Sequence, residues 1–194
     1  NASNIPGSCV TIKGHQHYPS QTHTDPGQYW DWDYYYKLLN ITTPIVTDIN
    51  ASGTTTDVGG SIADYVNDER TLFLIQPDNA ESITLTVNQF DIEDTWDYLY
   101  IYDGTTPFDT KIGEYTGTII PSTITVNSSN VLIEFRSDCA TINPGYEITW
   151  TSVIADTIKP TTQISSSPNP ATTAFSSNFT DTDNVGGSGV KHQF

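Results

Sequence analysis

Short runs of β-branched and aromatic residues recur through the middle of the chain, with glycine, proline, asparagine and aspartate between them. Within several runs, apolar and polar positions alternate. Ile83, Leu85 and Val87 fall on one face of a strand, and Leu99 and Ile101 on one face of another. Many short strands separated by turn residues are typical of an all-β sandwich or barrel. The runs predict strands over Thr71–Ile75, Ser82–Val87, Tyr98–Tyr102, Lys111–Tyr115, Thr123–Val126, Val131–Phe135 and Tyr146–Trp150.

The first forty residues have a different pattern. Val10–Ile12 predicts a short strand, and a polar loop with prolines and a glycine follows it. Asp31 is a suitable N-cap for a helix. The helix is predicted to end before Pro44, because a residue that precedes proline avoids the α region. Its apolar face has residues at helical spacing, namely Trp32, Tyr35, Tyr36 and Leu39.

The C-terminal part is rich in Ser, Thr, Pro and Asn. Residues 156–173 read as a linker, and Phe175–Thr180 as one strand followed by a glycine-rich loop. The chain stops while another strand is starting, which indicates a module cut short. We therefore predict three parts, with bounds 1–43, 44–153 and 154–194.

Composition limits the classes of partner. Seven Lys and Arg stand against 23 Asp and Glu, for a formal net charge of −16. Nucleic acid and anionic membranes need basic surfaces, so both are excluded as partners. A divalent cation or a cationic partner suits this charge. No apolar run approaches the roughly 18 residues of a membrane span. The first residues lack the features of a signal peptide, so an export signal is expected outside this chain.

The two cysteines, Cys9 and Cys139, lie far apart and in different predicted parts. We expect buried free thiols at both positions. A disulfide between them is the alternative.

Three of the four histidines lie close together, and an aspartate follows them. These residues are His15, His17, His23 and Asp25. Zinc binds neutral imidazole nitrogen and carboxylate oxygen, and a catalytic zinc site keeps one position open for water. The cluster therefore predicts a zinc site, with polar surface histidines as the alternative.

The spacing resembles a known family. Gly14-His15 is followed ten residues later by Asp25-Pro26-Gly27, then by Tyr29-Trp30 and the predicted helix. This resembles the C-terminal signature of the type-2 zinc-dependent N-acetylmuramoyl-L-alanine amidases. The resemblance implies the C-terminal end of an amidase domain in residues 1–43.

The same resemblance implies roles for individual residues. His15 and Asp25 would bind zinc, and His23 would stabilise the oxyanion that develops on the attacked amide. His17 is an alternative ligand, although in an extended segment it would point to the opposite face from His15. Zinc would activate water and polarise the amide between muramic acid and L-alanine. The family's first zinc histidine and its assisting glutamate would lie upstream of this chain, so we expect the chain alone to be inactive.

The middle part contains four distinctive segments, Phe90–Glu93, Trp96–Gly104, Phe135–Asp138 and Pro144–Tyr146. These segments resemble a CUB domain, an extracellular β-sandwich, over residues 57 to 152. Some CUB domains bind calcium, and the resemblance implies Glu93, Asp97 and Asp138 as its ligands. The alternative is that Asp97 and Asp103 bond nearby backbone at strand ends and turns.

Two functions follow from these resemblances. The first is a fragment of a secreted peptidoglycan amidase with accessory β-modules, as in secreted multidomain Bacteroidetes proteins. The second is a non-enzymatic adhesion or interaction protein in which the CUB-like domain binds a cell-surface glycan or protein. Both place the protein outside the cell or on its surface.

Overall fold

The computed structural model describes residues 20, 22–39, 43–167 and 176–182. The chain divides into two compact units, Asn1–Ile154 and Ala155–Phe194. The described elements of the first unit are α1 (Trp32–Leu39), β1 (Ile45–Asp48), β2 (Ser52–Thr56), β3 (Arg70–Ile75), β4 (Ala80–Asp91), β5 (Tyr98–Asp103), β6 (Thr110–Tyr115), β7 (Thr123–Val126), β8 (Val131–Arg136) and β9 (Gly145–Ile154).

These strands form two sheets. One has five strands in the order β1-β3-β8-β5-β6, and the other has four in the order β2-β9-β4-β7. The pair β1–β3 is parallel, and the other pairs are antiparallel. The fold is therefore a mainly antiparallel β-sandwich, which confirms the predicted fold class.

The core lies between the two sheets and follows the alternation in the sequence. Ile83 and Leu85 are fully buried, and Val87 packs against the same cluster from a partly buried position. Leu99 and Ile101 fill the core from the opposite sheet. Within β4 the buried side chains thus alternate with more exposed ones, as in a sandwich strand with one face in the core, whereas all six side chains of β8 are buried. The largest fully buried side chains include Trp150, Tyr65, Tyr102, Tyr146 and Phe135.

The predicted helix is present as α1. The backbone N–H of Tyr34 donates to Asp31 Oδ1 at 2.8 Å, which confirms Asp31 as the N-cap. Within the part of the chain that the structure describes, no helix is long and apolar enough to cross a membrane. The predicted strand Val10–Ile12 lies outside the described residues.

Two strands of the sandwich are absent from the sequence prediction. β1 is an edge strand whose Ile45 and Val46 are exposed. β2 has the sequence Ser-Gly-Thr-Thr-Thr and pairs with β9 along its whole length. A strand without apolar side chains gives no hydrophobic period, so only the pairing with its neighbour identifies it.

The second unit contains β10 (Thr161–Ser167) and β11 (Ser176–Thr182), which pair antiparallel. The prediction of a strand near Phe175–Thr180 is confirmed by β11. The prediction of a linker is wrong over Thr161–Ser167. Its Ser- and Thr-rich composition is compatible with a strand, because pairing with β11 satisfies its backbone.

The expectation of free thiols is wrong for Cys139, which is disulfide-bonded. Its position after β8 gave no local sign of this. The sequence has one other cysteine, Cys9, which lies outside the described residues. Separation along a chain does not report separation in space, so the spacing could not identify the bond.

The core is tightly packed where Gly53 of β2 meets Trp150 of β9. It pairs with Trp150 across β2 and β9, and a Cβ at Gly53 would overlap the Trp150 ring. That ring is buried and contacts Phe73 at 5.6 Å between centroids. We predict that Gly53→Ala lowers the free energy of unfolding by about 1–3 kcal/mol through overpacking, as measured by urea denaturation. Ser52→Ala, at the exposed neighbouring position, is the control, and equal stabilities of the two variants would contradict the prediction.

Candidate metal centre

Three carboxylate residues meet at one end of the sandwich. Glu93 and Asp97 lie in the turn between β4 and β5, and Asp138 follows β8. Because β5 and β8 are antiparallel with Tyr98 opposite Arg136, residues just before β5 and just after β8 lie side by side. One carboxylate oxygen from each of the three residues lies within 4.8 Å of the other two. Among the described residues, this carboxylate cluster is the one such group of His, Cys, Asp or Glu side chains.

Asp97 is the centre of the hydrogen bonding in this cluster. Its side chain is fully buried. Its Oδ1 accepts the backbone N–H of Asp138 at 2.7 Å, and its Oδ2 accepts the hydroxyl of Tyr65. The same hydroxyl oxygen accepts the backbone N–H of Glu93 at 3.0 Å. Asp97 and Tyr65 therefore connect the β4–β5 turn, the segment after β8 and the loop that carries Tyr65.

Tyr65 lies in the loop between β2 and β3, and further bonds hold this loop in place. The backbone N–H of Glu69 donates to Ser137 Oγ at 2.8 Å. The backbone N–H of Asp68 donates to the carbonyl oxygen of Asp138 at 2.6 Å. The loop that carries Tyr65 is thus attached to the segment that carries Asp138.

Burial makes the charges of the cluster costly. It raises the pKa of Asp97 to about 7, and the neighbouring carboxylates of Asp138 and Glu93 add to this effect. The hydrogen bonds from Tyr65 and from the Asp138 N–H act in the opposite direction. Burial, followed by the hydrogen bond to Asp97, also raises the pKa of Tyr65. A cation among the three carboxylates would stabilise their ionised forms.

The donor set fits calcium. All three side chains offer oxygen, which hard cations prefer, whereas structural zinc sites use sulfur and nitrogen. Calcium takes six to eight oxygen ligands, so three carboxylates would be completed by backbone carbonyls and water. Each carboxylate oxygen has two lone pairs, so the hydrogen bonds to Asp97 leave room for a metal.

Two more buried carboxylates brace the β2–β3 loop. Asp57 accepts the backbone N–H groups of Tyr146 and Gly59, each at 2.8 Å. Glu69 accepts the backbone N–H of Val58 at 3.1 Å. Burial raises the pKa of both carboxyl groups. These residues shape the loop that holds Tyr65.

The histidine cluster is described only in part. His23 Nδ1 lies 3.9 Å from Asp25 Oδ1, and their side chains are 66% and 62% exposed. His15 and His17 lie outside the described residues. Neither His23 nor Asp25 belongs to a group of three potential ligands within the described ranges. The zinc site therefore stays a prediction.

The structure brings together Glu93, Asp97 and Asp138, which the sequence resemblance had proposed as ligands. It also shows residues that sequence reasoning missed, namely Tyr65 and Ser137. Tyr65 is one of eleven tyrosines, and it follows an exposed loop without any periodic signal. Its role depends on a contact with a residue 32 positions away, which no local pattern encodes.

Comparison with known families agrees with the fold. The model of the CUB domain family matches residues 49–150. This match covers more than half of the chain, and it includes both sheets from β2 onward and the three carboxylates. The chain belongs to the CUB family.

Relatives share the CUB domain over part of their length. Dog cubilin (Canis lupus familiaris) is 37% identical over 86 residues, which is 42% of this chain and 2% of cubilin. Neuropilin-1 of Xenopus laevis is 32% identical over 91 residues, which is 44% of this chain and 10% of that protein. The MASP-1 CUB2 domain, solved bound to Ca2+, is 25% identical, with a TM-score of 0.49 over 55% of this chain and 96% of that domain. The chain thus spans a small fraction of the length of cubilin and of neuropilin-1.

The CUB match begins downstream of α1. It gives no support to the amidase resemblance of residues 1–43, which stays a prediction. The part of the sequence prediction that named a CUB domain is confirmed.

The buried carboxyls give the metal-free CUB domain an unusual pH dependence. Asp97 has a folded pKa of about 7, against about 3.9 in an unfolded chain. The shift therefore favours the folded state at low pH, and this contribution is lost as pH rises through about 7. Asp57 and Glu69 act in the same direction. Asp109, whose pKa is lowered by backbone hydrogen bonds, changes little between pH 5 and 8, because it is ionised throughout.

We predict that the protein in chelator is more stable at pH 5 than at pH 8. Between these two pH values the contribution of Asp97 amounts to at most about 2.7 kcal/mol. Denaturant titrations at the two pH values measure it. Asp97→Asn removes the titrating group and should reduce the difference, while Asp94→Asn, in the same turn and exposed, should preserve it. A wild-type protein that is more stable at pH 8 than at pH 5 would contradict the prediction, because it would show that burial does not raise the pKa of Asp97.

Proposed function

We propose that this CUB domain is a calcium-binding recognition module of an extracellular protein, and that it acts by binding a partner. The observation that carries the proposal is the convergence of Glu93, Asp97 and Asp138, with Asp97 fully buried. A surface carboxylate needs no compensation, but a buried one among like charges does. Calcium supplies that compensation.

Calcium would also organise the end of the sandwich. The cluster is built from the β4–β5 turn and the segment after β8, and Tyr65 adds the β2–β3 loop. A cation bound to the carboxylates would hold the first two segments together directly and the third through Tyr65. Loops fixed in this way form a preorganised surface, which lowers the entropic cost of binding a partner.

The chemistry of the partner follows from charge. Asp64, Asp68 and Asp94 are exposed in the loops that surround the cluster, and the chain has a formal net charge of −16. Complementary charge favours a partner with basic groups. A cell-surface protein, or a glycan with cationic groups, meets this requirement.

Calcium binding is the direct test. We predict that calcium at a hundred times its dissociation constant raises the free energy of unfolding by about 2.7 kcal/mol, since it binds the folded state alone. Thermal unfolding with calcium or chelator measures this shift, and titration calorimetry measures the stoichiometry. Glu93→Gln and Asp138→Asn should abolish the shift, because each removes a ligand charge.

Asp94→Asn is the matched control for these variants. It makes the same change of charge in the same turn, but Asp94 is outside the carboxylate cluster. It should keep one calcium per chain and nearly the full shift. Identical melting temperatures with calcium and with chelator in the wild-type protein would contradict the proposal.

The amidase resemblance leads to a separate hypothesis for residues 1–43. It rests on Gly14-His15 and Asp25-Pro26-Gly27. Two of three zinc ligands would be present, so the chain would contribute the closing end of a catalytic domain. Hydrolysis of peptidoglycan would then belong to a larger protein.

We predict that the chain binds zinc weakly and does not release peptide from peptidoglycan. Two ligands hold zinc less well than the three of a catalytic site. Zinc titration in the presence of saturating calcium, which occupies the carboxylate cluster, isolates the histidine site. His15→Ala and Asp25→Ala should weaken the residual binding. Tight binding of one zinc per chain would mean that the assigned ligand set is incomplete.

A further inference from the structure

The outer face of the five-stranded sheet is apolar, although it is not part of the core between the sheets. We call it the tyrosine face, and it consists of Leu72, Leu74, Tyr98, Tyr100, Tyr102 and Leu132. Outer faces of antiparallel sandwiches are commonly polar and solvated. Here Leu132 and Tyr102 have no exposed surface, and Leu72, Leu74 and Tyr100 are at most 6% exposed. This face is therefore covered.

Charged groups are buried on the tyrosine face together with the rings. Tyr98, Tyr100 and Tyr102 stack along β5, with centroids 5.7 and 6.3 Å apart. The Arg136 guanidinium lies 4.4 Å from the centre of the Tyr100 ring. The Tyr102 hydroxyl donates to Glu134 Oε2 at 2.9 Å, and Glu134 is 1% exposed. Buried charges are stable when they are paired, and Arg136 Nε lies 3.5 Å from Glu134 Oε1.

Helix α1 contacts this face and the adjacent loop. Lys37 Nζ lies 5.3 Å from the centre of the Tyr102 ring, a cation–π contact. Tyr34 packs edge-to-face on Phe108, which lies in the β5–β6 loop, with centroids 6.2 Å apart. Tyr34 and Lys37 are three positions apart, so they project from the same side of the helix. α1 also falls in the same compact unit as the sandwich.

The length of α1 supports docking as well. It has eight residues, and isolated helices shorter than about 12 residues are marginal in water. Its stability must therefore come from contacts outside the helix. The contacts of Lys37 and Tyr34 provide them.

We propose that the tyrosine face is the docking interface for α1, so that the helix is a structural part of the CUB unit. Asp97 precedes the start of β5, and Tyr102 lies five residues later, about 16 Å away along an extended strand. The helix contacts Tyr102, so it lies toward the opposite end from the carboxylate cluster. The helix therefore does not cover the end that carries the candidate calcium site.

Hydrogen exchange of the full chain, followed by mass spectrometry, tests this interface. We expect the amides of Trp32–Leu39 to exchange at least tenfold more slowly than those of an unstructured peptide. Lys37→Ala and Tyr34→Ala should each speed their exchange about fivefold, through loss of one contact. Alanine is the best helix former. If α1 were an independent helix, either alanine variant would therefore slow exchange by raising helix propensity. Faster exchange would instead report the loss of a contact with the sandwich.

Lys159→Ala is the control, because it removes an exposed lysine from the second compact unit. It should leave the exchange of α1 unchanged. Protection of β4 and β9, in the other sheet, monitors global stability and should be equal in all variants. Wild-type α1 amides that exchange at the unstructured rate would overturn the proposal. So would unchanged or slower exchange in both alanine variants, or a uniform change in every strand.

Discussion

The antiparallel pairing of β5 with β8 is the constraint on which the rest of this domain depends. The register places Tyr98 opposite Arg136 and Leu99 opposite Phe135. One side of this pair supplies core residues between the sheets, and the other supplies the stacked tyrosines with Glu134 and Arg136. The end of the pair places Asp97 beside Asp138. A slip by one residue would exchange the two faces and separate the carboxylates, so core, outer face and candidate metal centre share one register.

Its burial distinguishes Asp97 from an ordinary turn aspartate. Asp109 shows what a turn aspartate looks like in this protein: it is exposed, and its Oδ2 accepts the backbone N–H groups of Thr105 and Thr106, each at 2.8 Å. Those bonds lower its pKa. Asp97 also accepts two hydrogen bonds, yet its pKa is raised because burial outweighs them. A carboxylate held at such a cost, with two others within reach, favours a cation over the purely local role of Asp109.

The sequence was informative where a local pattern determines the structure, and silent where a distant contact does. Alternation identified β4 because its Ile83 and Leu85 face the core, and Asp31 identified the start of α1 because capping is local. β2 was missed because Ser-Gly-Thr-Thr-Thr has no apolar member, and its order comes from β9. Glu93, Asp97 and Asp138 were proposed from a family resemblance, since nothing in their spacing shows that Asp138 folds back onto the β4–β5 turn. The disulfide bond of Cys139 was not the expected state, because it too depends on a contact that no local pattern encodes.

The contacts of α1 explain how so short a helix is ordered. Tyr34 and Lys37 face the sandwich. Tyr35 projects from another side, about 130° around the helix from the midpoint of those two residues at 100° per residue. Its ring contacts Trp30, which precedes the helix, with centroids 5.6 Å apart. One side of α1 thus meets the CUB unit while another meets the preceding chain. A helix held by contacts on two sides is ordered more firmly than its eight residues alone would allow.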